Sequence, residues 1–244
     1  MSDSDASFRP VEVWVPGRAV LWDLDGTLID SEQYHWLSWK AAMRAEGMEL
    51  SRSRFLDSFG QRNDRILKAW LGPDVDPERM KRIGDWKEAE YRRLAQEGGI
   101  TALPGAREWF LILKAAGWKQ AIASSAPRLN VEVMLRLLDI EHHVDAIVSA
   151  EEVTNGKPAP DVFLAAAEKL HVWPFRAIVV EDAPAGVEAG RRAGMKTIGV
   201  NASKRLGADV YVKSLADLKP DAFDRLLGRS QEHSLDLPPE GRPS

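Results

Sequence analysis

The chain has 244 residues, with 33 Lys and Arg against 37 Asp and Glu, a formal net charge of -4 and no cysteine. That length accommodates one large domain, or a core with a smaller insertion, without staples; the lack of cysteine excludes disulfides, thiolate zinc sites and a cysteine nucleophile, so any metal must rest on oxygen or histidine ligands. The mixed charge forms no basic patch that calls for nucleic acid, and neither the acidic start MSDSDASFRP nor any later run reads as a secretory signal or membrane span, so a cytoplasmic location is expected.

In chain order, the stretch 1–16 precedes the first element as an extension, and its VEVWVPG run has no assigned role. A short apolar run at 18–22 then reads as a buried parallel strand. From 31 to 101 helix formers and apolar residues recur at helical spacing, too long for a crossover, which predicts an inserted α-helical cap. Ser31 suits the N-cap of its first helix, Gly47 its end, and Leu103-Pro104-Gly105 the return to the core. Further strand-like runs follow at 118–123, 144–149, 176–180 and 195–200, separated by helical patterns at 125–138, 161–170 and 184–193, with an edge strand expected at 209–212. The alternation predicts a doubly wound, Rossmann-like α/β parallel sheet made of 17–30 and 102–228, while the polar, proline-bearing 229–244 reads as a disordered tail.

Ligands of an open parallel sheet bind beyond the carboxyl ends of its strands. The residues that fall there are Asp23 and Asp25, Ser124 and Ser125, Glu181 and Asp182, with Lys157 on the loop after the third strand. Phosphoryl transfer needs a nucleophile, a proton donor and positive charge to offset the phosphoryl oxygens, and this set supplies them. Residues two apart at an extended strand end project alike, so one carboxylate of the Asp23 and Asp25 pair attacks while the other handles protons. Oxygen ligands from Asp23, Asp182, Glu181 and a backbone carbonyl suit Mg2+, and Gly26 lets backbone approach a phosphate closely.

Four stretches carry a family resemblance: DLDGTLIDSE at 23–32, IASSA at 122–126, GKPAPD at 156–161 and VVEDAPAG at 179–186. In this order, each at a strand end, they resemble the motifs of the haloacid dehalogenase-like hydrolase superfamily, in the branch whose helical cap follows the first strand. The resemblance implies Asp23 as nucleophile and Asp25 as general acid and base, whose carbonyl completes the metal ligands. It also implies Ser124, with Ser125 beside it, and Lys157 as phosphate ligands, and Asp182 with Glu181 as holders of Mg2+. A carboxylate at Asp25, absent from the dehalogenases of that superfamily, favours phosphoryl transfer.

In the insertion QYHWLSWK at 33–40, Arg62 and Lys87 resemble parts of the β-phosphoglucomutase cap, which makes His35, Arg62 and Lys87 candidates for substrate contact. The plainer reading makes Trp36 and Trp39 packing residues and Arg62 and Lys87 surface charges. Ser124 and Ser125 equally suit an N-cap, as do Glu181 and Asp182 for the helix at Pro184. The reading adopted is a Mg2+-dependent phosphatase acting through an aspartyl-phosphate on a small phosphorylated metabolite, a sugar phosphate above all. A phosphosugar mutase is the alternative, toward which His35 and Lys87 lean. A non-catalytic binding protein on the same fold is a remote third. Closure of the cap over the core is expected to exclude water.

Overall fold

The computed structural model describes residues 17–228; the extension 1–16, with Trp14, and the tail 229–244 lie outside the described residues. Six parallel strands, β1 (Ala19–Trp22), β2 (Lys119–Ala123), β3 (Ala146–Val148), β4 (Ala177–Glu181), β5 (Lys196–Val200) and β6 (Val210–Val212), form one sheet in the order β3-β2-β1-β4-β5-β6. The chain runs outward from β1 to β3 and then returns to start β4 on the other side, so the order reverses between β1 and β4. Side-chain alternation along each strand fills both faces. Val20, Trp22, Ile122, Ile178 and Val180 join a cluster closed by Trp109, Phe110 and Phe223, while Ala19, Leu21, Ala121 and Val179 pack against Phe163 and Ala166.

Between β1 and β2 lie α1 (Glu32–Ala45), α2 (Arg52–Leu56), α3 (Asn63–Leu71) and α4 (Pro77–Gly98), followed by α5 (Ala106–Ala115) on the sheet. The first four share a separate apolar cluster of Trp39, Met43, Phe55, Leu67, Trp70 and Ile83, with the Trp39 and Trp70 rings 5.0 Å apart. Asp76 accepts a hydrogen bond from the Arg79 amide at 2.8 Å ahead of Pro77, which starts α4. Trp36 and Trp39 are packing residues, as the plainer reading held. The chain leaves and re-enters the core side by side: Asp30 donates to the Thr101 carbonyl at 3.2 Å and Leu103 to that of Leu28 at 2.9 Å.

The remaining helices are α6 (Arg128–Leu137), α7 (Asp161–Lys169), α8 (Pro184–Arg192) and α9 (Ala222–Leu227). Two local expectations are corrected. Ser31 occupies the N-cap position of α1 but makes no capping bond; its hydroxyl donates to Asp25 Oδ1 at 2.6 Å. The helix expected from 125 begins at Arg128, because Ser124 Oγ accepts the Ala126 amide at 3.0 Å and Pro127 then fixes an extended turn before the first helical residue. Among the described residues no helix is long and apolar enough to cross a membrane.

Candidate active site

The reversal between β1 and β4 places the ends of both strands at one crevice. Asp23 follows β1 directly and its amide donates to Val180 O of β4 at 3.0 Å, so the backbone itself fixes the side chain beside Glu181 and Asp182. Lys157 arrives from the loop after β3 and donates to Asp23 Oδ1 at 2.5 Å and Glu181 Oε1 at 2.7 Å. All of these heads are withdrawn from solvent: the side chains of Lys157, Asp23 and Glu181 are 6 %, 10 % and 2 % exposed.

Carboxylate oxygens of Asp23, Glu181 and Asp182 lie within 4.8 Å of one another. Three carboxylates face one ammonium, so the fully ionised cluster carries an excess of negative charge in a medium that screens it poorly. Burial pushes the Asp23 carboxyl up to about 7, opposed by Lys157, and burial with the charges of Glu181 and Asp23 pushes Asp182 well up. Lys157, which burial alone would depress, is raised by Asp23 and Glu181 and stays an ammonium. A hard divalent cation fits this donor set, because it removes the excess charge and takes oxygen ligands. Gly26, at φ +84°, does not line the cavity; its amide donates to Ile29 O at 2.9 Å, and a side chain there would place Cβ 2.8 Å from Asp182 Cγ. It makes room for Asp182, where the sequence reading had it beside a phosphate.

Asp25 faces the insertion. Its Oδ1 accepts from Ser31 Oγ at 2.6 Å, Tyr91 Oη at 3.3 Å and His35 Nε2 at 3.1 Å. Lys87 Nζ sits 2.9 Å from His35 Nδ1 and donates to Glu88 Oε1 at 2.8 Å. An ammonium can only donate, so Nδ1 accepts and the ring presents Nε2–H to Asp25. Burial works to raise the Asp25 carboxyl, but His35, by its charge when the ring is protonated and by its hydrogen bond, together with the Ser31 hydrogen bond and the Lys87 charge, holds it below the usual carboxylate range. Asp23 and Asp25 therefore sit in opposite electrostatic settings: with no cation bound, Asp23 holds a proton the more readily and Asp25 stays a carboxylate.

A cavity of about 420 Å³ joins these groups, lined on the core side by Asp23, Asp25, Ser124, Ser125, Lys157 and Asp182. His35 and Lys87 line its cap side, and Lys87, which the plainer reading made a surface charge, is 1 % exposed. Arg62 is not among the lining residues: its Nη1 donates to Val153 O at 2.9 Å, so it bridges the insertion to the loop that carries Lys157. Glu181 Oε2 accepts a hydrogen bond from the Ala183 amide at 2.8 Å, next to the start of α8, so a local capping contact and the carboxylate cluster share one side chain. The sequence reading missed Tyr91, Asn63, Glu88 and Asn130. Asn63 and Glu88 line the cavity, and Asn130 holds Glu88 from the core. A signal was present, since Lys87, Glu88 and Tyr91 fall on the buried stripe of α4 with Ile83, Gly84 and Ala95, where apolar residues belong.

The family model for haloacid dehalogenase-like hydrolases matches residues 20–200. The chain is 34 % identical over 219 residues to the β-phosphoglucomutase of Bacillus subtilis, covering 82 % of this chain and 91 % of that one. It is 32 % identical over 214 residues to hexitol phosphatase B of Escherichia coli, covering 86 % and 95 %. Its backbone superposes on the β-phosphoglucomutase of Clostridium difficile with a TM-score of 0.78 at 28 % identity, over 86 % of this chain and 97 % of that one. Strand order, carboxylates and matched span agree: this chain belongs to the haloacid dehalogenase-like hydrolase family.

Proposed function

We propose that the chain is a Mg2+-dependent phosphatase for a small phosphorylated metabolite, built of a core at 17–30 and 102–228 and a cap at 31–101. The observation that carries this reading is Asp23 held by Lys157 between two further carboxylates, with Asp25 poised across the same cavity. Asp23, Asp182 and the Asp25 carbonyl would hold the cation, with Glu181 joining directly or through water. When bound, the cation supplies positive charge to the phosphoryl oxygens.

The residues then divide the work. Lys157, with Ser124 and Ser125 beside it in the cavity, binds the phosphoryl oxygens against Asp23. A carboxylate oxygen of Asp23 forms a bond to phosphorus as the ester P–O bond breaks, and the departing oxygen takes the proton of Asp25. Asp25 is a carboxylate before substrate arrives, so it takes that proton up from solvent as the phosphate dianion binds and raises its affinity, against the pull of His35 and Lys87. Asp25, now a carboxylate as in the present structure, accepts a proton from water whose oxygen attacks phosphorus; the P–O bond to Asp23 breaks and inorganic phosphate leaves. His35 orients Asp25 throughout.

A mutase that returns the phosphoryl group to a sugar monophosphate passes through a bisphosphorylated sugar, and the second phosphate needs a cation in the distal half of the cavity. The described lining residues of a type that can carry positive charge are His35, Lys87, Lys157 and Lys204. The first faces Asp25, the second is paired with Glu88 and the third with Asp23 and Glu181, which leaves Lys204, exposed at the rim. Asp57, Ser58, Gln61 and Asn63 on the distal wall suit neutral hydroxyls instead. This favours hydrolysis of a monophosphate with an uncharged polyol or sugar leaving group. It also sets aside the binding-protein reading, which leaves the intact pairing of Asp23 with Lys157 without a purpose.

The test is phosphate release from a panel of sugar and hexitol phosphates with magnesium, beside β-glucose 1-phosphate isomerisation. Release that falls at least about a thousandfold in Asp23→Asn supports the phosphatase. Isomerisation without release would replace it with the mutase, and silence in both assays would revive the binding protein.

A further inference from the structure

Asn130 takes no part in the chemistry above, yet it is a buried polar residue through which core and insertion meet. It stands in the first turn of α6, on the core, 1 % exposed. Its Nδ2 donates to Glu88 Oε2 at 2.6 Å and its Oδ1 accepts from Arg92 Nη1 at 2.6 Å. Both partners belong to α4, one turn apart. The amide orientation follows from these neighbours, since the reverse would set oxygen against carboxylate and nitrogen against guanidinium. Its side-chain hydrogen bonds thus come from the insertion, and separating the two layers strips a buried amide, a carboxylate and a guanidinium together.

Glu88 continues the connection. Its other oxygen takes Asn63 Nδ2 at 2.7 Å and Lys87 Nζ at 2.8 Å, Lys87 reaches His35 Nδ1 at 2.9 Å, and His35 Nε2 reaches Asp25 at 3.1 Å. The path starts on the core at Asn130, runs through α4 and α1, and ends on the core at Asp25. Arg62 adds a second strut, for a Cβ at Gly156 would lie 2.7 Å from Arg62 Cδ.

We propose that Asn130 is a positioning residue: by seating α4 against α6 it fixes Glu88, and through Lys87 and His35 it aligns Asp25 only when the cap is closed. The consequence for turnover rests on the phosphatase reading; the latch itself does not. Asparagine is the side chain that can donate to a carboxylate and accept from a guanidinium at the same point. Aspartate would set two carboxylates face to face, and leucine would leave Glu88 Oε2 and the half-buried Arg92 guanidinium without the partner that joins them to the core.

The absence of cysteine from the 244 residues allows a clean pair of labels at Lys81→Cys on α4 and Arg136→Cys on α6. Spin-label distances are measured with magnesium and inorganic phosphate. The parent is expected to show one short distance, and Asn130→Asp a majority at longer distance, with kcat for phosphate release lowered at least tenfold and KM altered less than threefold. Arg92→Met provides the same readout should Asn130→Asp fail to fold. An unchanged distance distribution in these variants overturns the latch whatever the activity, and a longer distance with unchanged kcat overturns its link to Asp25. A parent silent on every phosphoester counts against the phosphatase reading, while the distances still decide the latch.

Discussion

Gly186→Ala isolates the carboxylate cluster without touching a charged residue. Gly186 lies in the first turn of α8, and a Cβ there would overlap the Glu181 carboxylate and stand 2.5 Å from Glu181 Cγ. Glu181 is 1 % exposed and tied to Lys157 and to the Ala183 amide, so it cannot step aside and keep both bonds. Losing one charge-assisted hydrogen bond costs about 1.5–3 kcal/mol. Two effects offset this: alanine in a helix is worth about 1 kcal/mol over glycine, and moving Glu181 relieves the repulsion that raises Asp23 and Asp182. The net loss of stability is therefore small, about 0–2 kcal/mol. Magnesium affinity has no such compensation and falls about 10- to 100-fold, as for loss of a ligand's support. Titration calorimetry with magnesium measures it, with Gly84→Ala as control, since the nearest atom to a Cβ there is 3.7 Å away. Affinity within twofold of the parent in Gly186→Ala would refute the assignment of this cluster to a cation.

Two further outcomes follow from charge and packing. Because the folded Asp23 carboxyl is raised to about 7 and Asp182 is raised with it, their contribution to metal-free stability is full below about pH 4 and is lost as pH rises through 7. The lowered Asp25 and Glu88 act in the opposite sense but only at more acidic pH. Magnesium should thus raise the melting temperature more at pH 8 than at pH 5, and equal increments would contradict the raised carboxyls. Phe223→Ala removes a ring 2 % exposed among Trp22, Trp109 and Trp118, whose centroids lie 6.1, 5.0 and 5.9 Å away. Urea unfolding should show a loss of about 3–5 kcal/mol; a loss under 1 kcal/mol would mean that α9 is dispensable to the core.

The strands were legible because a parallel sheet covered on both faces leaves continuous apolar runs, and the residues after those runs had to meet at one edge. The 18–22 run appears as Ala19–Trp22 and the 209–212 run as Val210–Val212. Local side-chain competition was harder to read. Ser31 resembles a helix cap by type and position, but Asp25, six residues away, outbids the backbone amides as a partner. Arg62 looks like any cation near a phosphate site until the fold places carbonyls of Val153 and Thr154 within its reach. Glu88 and Asn130 come from elements 42 positions apart, and no pattern in either helix announces that pairing.

The paired strands of chain at Leu28 to Asp30 and Thr101 to Leu103 have a consequence beyond motion. A module whose two ends enter and leave at one point imposes almost no geometric demand on what lies between them. The core can finish its sheet whatever is spliced there, so the cavity wall that meets the leaving group is free to diverge while the carboxylate cluster beneath it stays fixed. On the proposed function, substrate range in this chain rests with the insertion and the carboxylate cluster with the scaffold, while Asp25 depends on both.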